Sequence, residues 1–97
     1  MIRPIYQIKL SKRYKKDIKR LSKSHYNMTR LEDVVDQLLC GMRLSDEYGD
    51  HELHGKLKGT RECHIGPDWL LRYTKDGDHL LLLLISTGTH RHVLGIE

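Results

Sequence analysis

Histidine is the most prominent reactive side chain in the sequence, with seven among 97 residues. Imidazole titrates near neutral pH, so a pair of imidazoles can supply both a base and an acid. Cleavage of RNA needs this pair: a base takes the proton from the ribose 2′-hydroxyl and an acid protonates the departing 5′-oxygen. A cation that stabilises the charge on the phosphoryl oxygens completes the requirement. Because RNA carries its own nucleophile, this chemistry needs no metal and no cofactor.

The histidines differ in what their positions suggest. Those of interest are His51, His54, His64, His90 and His92. Two pairs, His51-x-x-His54 and His90-x-His92, also suggest zinc, but a zinc site normally has cysteine or carboxylate partners at tighter, recurring spacing. We therefore expect no metal ligand set, and we expect His25 and His79 to be ordinary surface or turn residues.

Charge is segregated along the chain. Residues 1–30 contain ten Lys and Arg residues and one acid, whereas residues 31–54 contain seven acids and one Arg. A basic segment of this kind favours an anionic partner, with nucleic acid the leading class, although a solvated helix face rich in lysine has the same composition.

Length and composition indicate one globular domain over residues 1–97. A hydrophobic share of 38% and a charged share of 31% argue against a disordered or membrane protein. The apolar run Leu80–Ile85 is too short to span a bilayer. No secretory signal is visible near the N-terminus, so we expect a cytoplasmic protein in which Cys40 and Cys63 are reduced thiols.

The first half of the chain predicts one strand and two helices. Residues 4–10 alternate as a strand does, and Ser11 is a candidate N-cap for a helix over residues 12–24. The capping-box pattern at residues 29–32 predicts the start of a second helix, whose apolar residues recur at helical spacing as far as Met42. Gly41 is the predicted C-terminal signal of that helix.

The second half predicts three strands, at residues 62–65, 69–74 and 79–86. The last is apolar on both faces and predicts a central strand that is covered on both sides. A three-residue turn at 66–68 would pair Ile65 with Trp69, so that His64 projects from the face opposite the core. The predicted fold class is α+β with the order β-α-α-β-β-β: a helical hairpin packed on one face of a small, mostly antiparallel sheet.

Three stretches of the sequence carry a specific resemblance. Residues 50–59 read DHELHGKLKG, residues 61–73 read RECHIGPDWLLRY, and residues 88–90 read GTH. In this order and at these separations they resemble the YafQ branch of the RelE/ParE toxin superfamily, and the resemblance covers essentially the whole chain.

The resemblance implies a RelE-like fold and the toxin component of a type II toxin–antitoxin system. Such a toxin is an endoribonuclease that cleaves mRNA, typically on the ribosome, and so inhibits translation. The implied partners are mRNA, the ribosome and a small cognate antitoxin, of the ribbon-helix-helix, DinJ-like type; no cofactor and no membrane are implied. Matched to the family's motifs, the catalytic residues are His51, His64, Asp68 and His90.

Roles within that set are only partly fixed by the resemblance. We expect His51 or His64 to be the base and His90 the acid, with Asp68 orienting a histidine or holding it protonated. Residues that could contact RNA or its phosphates are Lys56, Lys58, Arg72, Arg91, Trp69 and Leu94. Trp69 could equally be a core residue, and Leu94 stands where this branch has an aromatic residue, so it offers no ring on which a base can stack.

Two other functions stay open at this point. One is a ParE-type relative that inhibits DNA gyrase, which would not need the set of histidines and aspartate. The other is a catalytically weak relative that only binds RNA or an antitoxin, which the leucine at position 94 favours. Similarity of fold alone does not distinguish these functions.

Overall fold

The computed structural model of the chain describes residues 4–95, so the predicted domain ends at residues 1 and 97 lie outside it. Within the described range, five strands form one sheet and three α-helices accompany it. In chain order they are β1 (Gln7–Leu10), α1 (Lys12–Ser22), α2 (Met28–Leu39), β2 (His51–Glu52), β3 (Arg61–Gly66), β4 (Trp69–Asp76), β5 (Leu81–Gly88) and α3 (His90–Leu94). None of the described helices is both long and apolar enough to cross a membrane.

The sheet has the strand order β1-β5-β4-β3-β2. Strand β1 runs parallel to β5, and the other three neighbouring pairs are antiparallel. This confirms the predicted fold class, a helical hairpin on a mostly antiparallel sheet, while β2 and α3 are additions that the sequence patterns did not predict.

The two long helices pack their apolar residues into one core with the sheet. Ser11 caps α1 as predicted, its Oγ accepting a hydrogen bond from the backbone N–H of Tyr14 at 2.9 Å. The core side of α2 follows the predicted helical spacing. Its buried residues are Leu31, Val34, Val35 and Leu38. From the sheet they meet Cys63, Ile65, Leu71, Tyr73, Leu82 and Leu84.

The predicted ends of α2 are partly wrong. The helix is capped by Asn27, whose side chain accepts from the N–H of Thr29 at 3.2 Å, and not by the capping box at 29–32. Asparagine is the stronger N-cap of the two, and it starts the helix earlier. Gly41 is confirmed as the C-terminal signal, since Gly41 and Met42 donate to the carbonyls of Leu38 and Gln37. Met42 therefore lies beyond the helix and is exposed.

The turn between β3 and β4 is one residue shorter than predicted. Gly66, not Ile65, pairs with Trp69, and a bulge lies between His64 and Gly66. The bulge absorbs the extra residue, so the rest of the register is as predicted, with Cys63 opposite Leu71 and His64 on the other face.

Strand β5 is interior to the sheet, as predicted, but it is not covered on both faces. Leu82 and Leu84 are buried against the helices, whereas Leu81, Leu83 and Ile85 are only partly buried. The apolar run is therefore a strand with one packed face, and its other side belongs to the open face of the sheet.

Candidate active site

Cross-strand register brings the polar residues of the open face into two rows. One row runs from His51 through Glu62 and Arg72 to Ser86, across β2, β3, β4 and β5. The next row runs from His64 of β3 through Leu70 of β4 to Gly88 of β5. Helix α3 begins two residues after Gly88, so its first residue lies near the β5 end of this row. Alternation of side chains puts both rows on one face.

Asp68 and His90 form the tightest pair of this face. Asp68 occupies the β3–β4 turn with a φ of 47°, a conformation that aspartate tolerates in turns. The backbone N–H of His90 donates to its Oδ1 at 2.8 Å, and the ring Nδ1 of His90 lies 2.5 Å from the same oxygen. These two bonds to His90 lower the pKa of Asp68 below its ordinary value of 3.8, so it is ionised at neutral pH.

His64 lies beside this pair. Its ring centroid is 5.7 Å from that of His90. Gly49 also packs against the ring, since a Cβ at this glycine would lie 2.9 Å from Nδ1 of His64. Within residues 4–95 the ring of His64 has no hydrogen bond, which leaves a nitrogen able to act as a base.

His51 is held differently, because both of its ring nitrogens are engaged. Nδ1 lies 2.7 Å from the carbonyl oxygen of Gly49, and Nε2 lies 3.0 Å from Oε1 of Glu62. A carbonyl oxygen can only accept, so Nδ1 is the donor to Gly49, and Nε2 is occupied by the carboxylate of Glu62.

The strand that carries His51 is tied down by its neighbour Asp50. Tyr73 of β4 donates its hydroxyl to Oδ1 of Asp50 at 2.5 Å, and Arg61 donates at 3.4 and 3.3 Å. Burial and this bond raise the pKa of Tyr73, so its hydroxyl remains a donor at any physiological pH.

Of the candidate phosphate-binding cations, Arg72 is the one on the open face. Its Nε donates to Oγ1 of Thr60 at 3.2 Å, and partial burial lowers its pKa. An arginine pKa is high enough that the guanidinium stays charged. Lys56, Lys58 and Arg91 are exposed, the first two between β2 and β3 and the third on α3.

Trp69 and Leu94 are less available. Trp69 is 4% exposed, its Nε1 donates to Oγ1 of Thr87 at 3.0 Å, and its ring meets the edge of Tyr26. The structure thus gives Trp69 a packing role in the core. Leu94 is half-buried in the last turn of α3.

Three polar residues of this region were not singled out from the sequence. Glu62 and Ser86 are buried in the first row, and Asp17 is buried beneath α3. Strand alternation could have placed Glu62 on the face of His64, but nothing local distinguishes Asp17 from the solvated charges of a basic helix. Within residues 4–95, no three His, Cys, Asp or Glu side chains are grouped as around a metal ion.

Comparison with known proteins identifies the family of the chain. The family described as "Bacterial toxin of type II toxin-antitoxin system, YafQ" matches residues 6–95. The chain belongs to the YafQ family. A curated relative, the mRNA interferase toxin YafQ of Escherichia coli K12, is 37% identical over 89 residues, which cover 91% of this chain and 95% of the relative.

Solved YafQ structures share the fold throughout. YafQ from E. coli BL21(DE3) superimposes with a TM-score of 0.86 at 33% identity, covering 93% of this chain and 99% of that one. In the crystal structure of the E. coli DinJ–YafQ toxin–antitoxin complex, the matching chain gives a TM-score of 0.84 at 36% identity, covering 94% and 99%. These matches confirm the RelE-like fold and membership of a toxin family, and they leave the roles of individual residues to the geometry above.

Proposed function

We propose that this chain is an mRNA interferase: the toxin of a type II toxin–antitoxin pair, which cleaves mRNA on the ribosome by attack of a ribose 2′-oxygen on the adjacent phosphorus. The observation that carries the proposal is the spacing of His64 and His90, 5.7 Å between ring centroids beside the carboxylate of Asp68. One phosphodiester group can contact both rings at this spacing. The sequence similarity to mRNA interferase toxins supports the same activity.

His90 is the general acid of the proposed reaction. Asp68 accepts from Nδ1 of His90, which fixes the tautomer and turns Nε2 outwards. As the bond from phosphorus to the 5′-oxygen breaks, the oxygen leaves with the bonding electrons and takes the proton from Nε2 of His90.

His64 is the general base. It takes the proton of the 2′-hydroxyl while the 2′-oxygen forms its bond to phosphorus, which gives a 2′,3′-cyclic phosphate and a free 5′-hydroxyl. We assign this role to His64 and not to His51 because Nδ1 of His51 bears a proton and Nε2 is occupied by Glu62. In this proposal His51 borders the site without taking the proton of the 2′-hydroxyl.

Arg72 supplies the cation for the phosphoryl oxygens. It is the diagonal neighbour of His64 across β3 and β4, a relation in which side chains lie roughly 7–8 Å apart and a long one reaches the other. Lys56, Lys58 and Arg91 can bind flanking phosphates, where a charge that is exposed still attracts RNA. This chemistry needs no metal, since the nucleophile is part of the substrate.

The proposed partners are mRNA, the ribosome and a cognate antitoxin. The DinJ–YafQ complex of E. coli is a precedent for a DinJ-like, ribbon-helix-helix partner. We expect the protein to act in the cytoplasm, where its mRNA substrate is translated.

The deciding experiment is cleavage of a short mRNA on programmed ribosomes by the purified protein. We expect a 2′,3′-cyclic phosphate and a 5′-hydroxyl at the cut, and no cut when the sugar 5′ to the scissile phosphate is 2′-deoxy. His64→Ala and His90→Ala should each slow cleavage by roughly 10²–10⁴-fold. His79→Ala removes a histidine that is paired with Asp76 away from the site and should leave the rate unchanged.

Equal cleavage of the 2′-deoxy substrate would exclude the mechanism. Intact mRNA together with inhibition of DNA supercoiling by gyrase would instead support the ParE-type function. Circular dichroism of each variant separates a loss of chemistry from a loss of fold.

A further inference from the structure

A buried carboxylate lies on the most basic helix of the protein, with no role in the proposed reaction. Asp17 of α1 is 1% exposed, although its helix is otherwise rich in lysine and arginine. We propose that Asp17, through His92, is a positioning residue for the general acid His90. The proposal rests on the proposed function and adds two residues that do not themselves contact the RNA.

The carboxylate of Asp17 joins three elements. Its Oδ2 accepts from the backbone N–H of Thr87 in β5 at 3.1 Å. Its Oδ1 lies 2.6 Å from Nε2 of His92 in α3 and accepts from Arg20 of its own helix at 3.2 Å. A buried carboxylate that accepts several charge-assisted or backbone bonds is strongly localised, since losing any of them leaves an unpaired charge.

Asp17 bonds to the backbone of β5 because β5 extends beyond the end of its neighbour β1. Strand β1 pairs with β5 only from Leu81 to Leu84. Beyond that point, the N-cap of α1 and a residue within the helix bond to the open edge. Ser11 donates to the carbonyl of Ile85 at 2.6 Å, and Asp17 accepts from the N–H of Thr87. The other carboxylate oxygen of Asp17, Oδ1, is then available to His92 of α3.

Helix α3 depends on such contacts for its position. It has five residues, too few for an isolated helix to be stable in water. Thr89 caps it, its own residue Val93 is buried, and Arg13 of α1 donates to the carbonyl of His92. Its ring contacts to carboxylates are Asp68 through His90 and Asp17 through His92. The helix is therefore held between two carboxylates, one from the β3–β4 turn and one from α1.

The two histidines of α3 face opposite ways. Residues two apart on an α-helix point about 200° apart around its axis. His90 accordingly meets Asp68, and His92 meets Asp17. Gly88 makes the approach possible, because its φ is 149° and a Cβ there would lie 3.1 Å from Arg20 and 3.2 Å from the ring of His92. Releasing His92 would let α3 rotate and move Nε2 of His90 away from the leaving oxygen.

A substrate that needs no general acid isolates this effect. In an mRNA whose scissile 5′-oxygen is replaced by sulfur, the leaving group departs as a thiolate. A thiol has a pKa near 8.5, against about 15.7 for water, so the thiolate leaves without a proton. Variants that act through His90 should therefore be slow on the oxygen substrate and restored on the sulfur substrate.

The test measures cleavage of both substrates on programmed ribosomes by His92→Ala, His92→Gln and Asp17→Asn. The reference variant is His90→Ala, and His79→Ala is the matched surface control. We expect His92→Ala to lower kcat about 10²-fold on the oxygen substrate, the scale of a small misplacement of a catalytic group, with KM unchanged. It should approach the wild-type rate on the sulfur substrate. His92→Gln keeps a donor for Asp17 and should retain most of the activity.

An equal loss on both substrates for His92→Ala, while His90→Ala is restored by sulfur, overturns the positioning role and leaves the proposed function intact. If sulfur does not restore His90→Ala, the general-acid assignment itself is wrong and the inference is overturned with it. The result for Asp17→Asn is interpreted only if its circular dichroism and Tm match those of the wild type. The side chain of His92 is one-third exposed, so the His92 variants test the proposal whether or not Asp17→Asn folds.

Discussion

Asp68 and His90 show how two hydrogen bonds can fix the orientation of a side chain in the proposed site. The carboxylate is exposed, yet two donors from His90 converge on one of its oxygens. Those bonds favour the ionised carboxylate and therefore lower the pKa of Asp68. In the proposed mechanism, His90 is oriented as the acid as long as Asp68 is charged.

The pKa of Asp68 is a direct measure of this contact. We expect NMR titration to give a value below 3.8 in the wild type and a return towards 3.8 in His90→Ala. Because the folded-state pKa is lowered, the contact contributes stability above the pKa of the unfolded chain and loses it as pH falls through the folded-state value. Asp76, which has a similar contact with His79, serves as the internal control and should not change in this variant. An unchanged Asp68 in His90→Ala would contradict the pairing.

The sequence was sufficient to place the candidate residues near one another, but not to distinguish the roles that we propose for them. Strand alternation was sufficient to place His64 on the open face, and the Pro67-Asp68 turn to place a carboxylate near it. The choice between His51 and His64 as base depended on Glu62, whose contact with His51 arises from pairing between β2 and β3. A two-residue strand has no periodicity, so neither the strand nor that contact could be predicted.

At the level of elements, strand β2 is positioned more by side-chain hydrogen bonds than by its own backbone pairing with β3. Only His51 and Glu52 pair with β3. The stronger tether is Asp50, which receives the buried hydroxyl of Tyr73 and the guanidinium of Arg61. The position of His51 therefore depends on a tyrosine from the middle of the sheet.

Tyr73→Phe tests that tether. The substitution keeps the ring in the core and removes one donor to an ionised carboxylate, a bond worth about 1.5–3 kcal/mol. We expect the free energy of unfolding in urea to fall by about that amount, and RNA cleavage to weaken because β2 is less well held. Asp50 keeps its longer contacts with Arg61, so the fold should survive.

Tyr26→Phe is the matched control for that variant. The ring of Tyr26 packs edge-on against Trp69, and its hydroxyl has no hydrogen bond within residues 4–95. Its stability should stay within about 0.5 kcal/mol of the wild type. Equal losses in the two variants would show that the hydroxyl of Tyr73 contributes nothing specific.

The long elements were predictable because their patterns are long. Helix α2 repeats apolar residues over three turns, and Ser11 marks the start of α1 with a specific cap. Helix α3 has five residues and is held by tertiary contacts with Asp17 and Asp68, which local sequence does not reveal. The part of the fold that escaped prediction is therefore the part that carries His51 and His90.

Across the whole molecule, the segregated charge of the sequence becomes a segregated surface. The lysines of α1 are exposed, at Lys12, Lys15, Lys16 and Lys19, and Lys23 follows the helix. The acids of α2 and the segment after it are also exposed, at Glu32, Asp33, Asp36, Asp46, Glu47 and Glu52. An anionic partner that approaches the molecule is therefore steered towards α1 and away from the acidic side.

A neutralising antitoxin has to bind the basic surface of α1 or the proposed active site beside it. We expect its contacting segment to be acidic where it meets α1, and to bring apolar anchors, since charge alone gives rate and specificity more than affinity. A segment that is disordered when free and folds on the toxin would bind tightly and still be released by proteolysis of the antitoxin.

Hydrogen exchange on the toxin–antitoxin complex tests where that segment lies. We expect added protection over residues 12–23 and around residues 88–94, because masking α1 and α3 would block both the basic surface and His90. Within the second region, the N–H of His90 is informative, since in the free protein it is bonded to the exposed Asp68. Slower exchange there means that the antitoxin covers the α3 end of the site, and faster exchange means that it displaces α3. An exchange pattern identical to that of the free toxin in both regions would mean that the antitoxin acts from the far side, by obstructing entry to the ribosome.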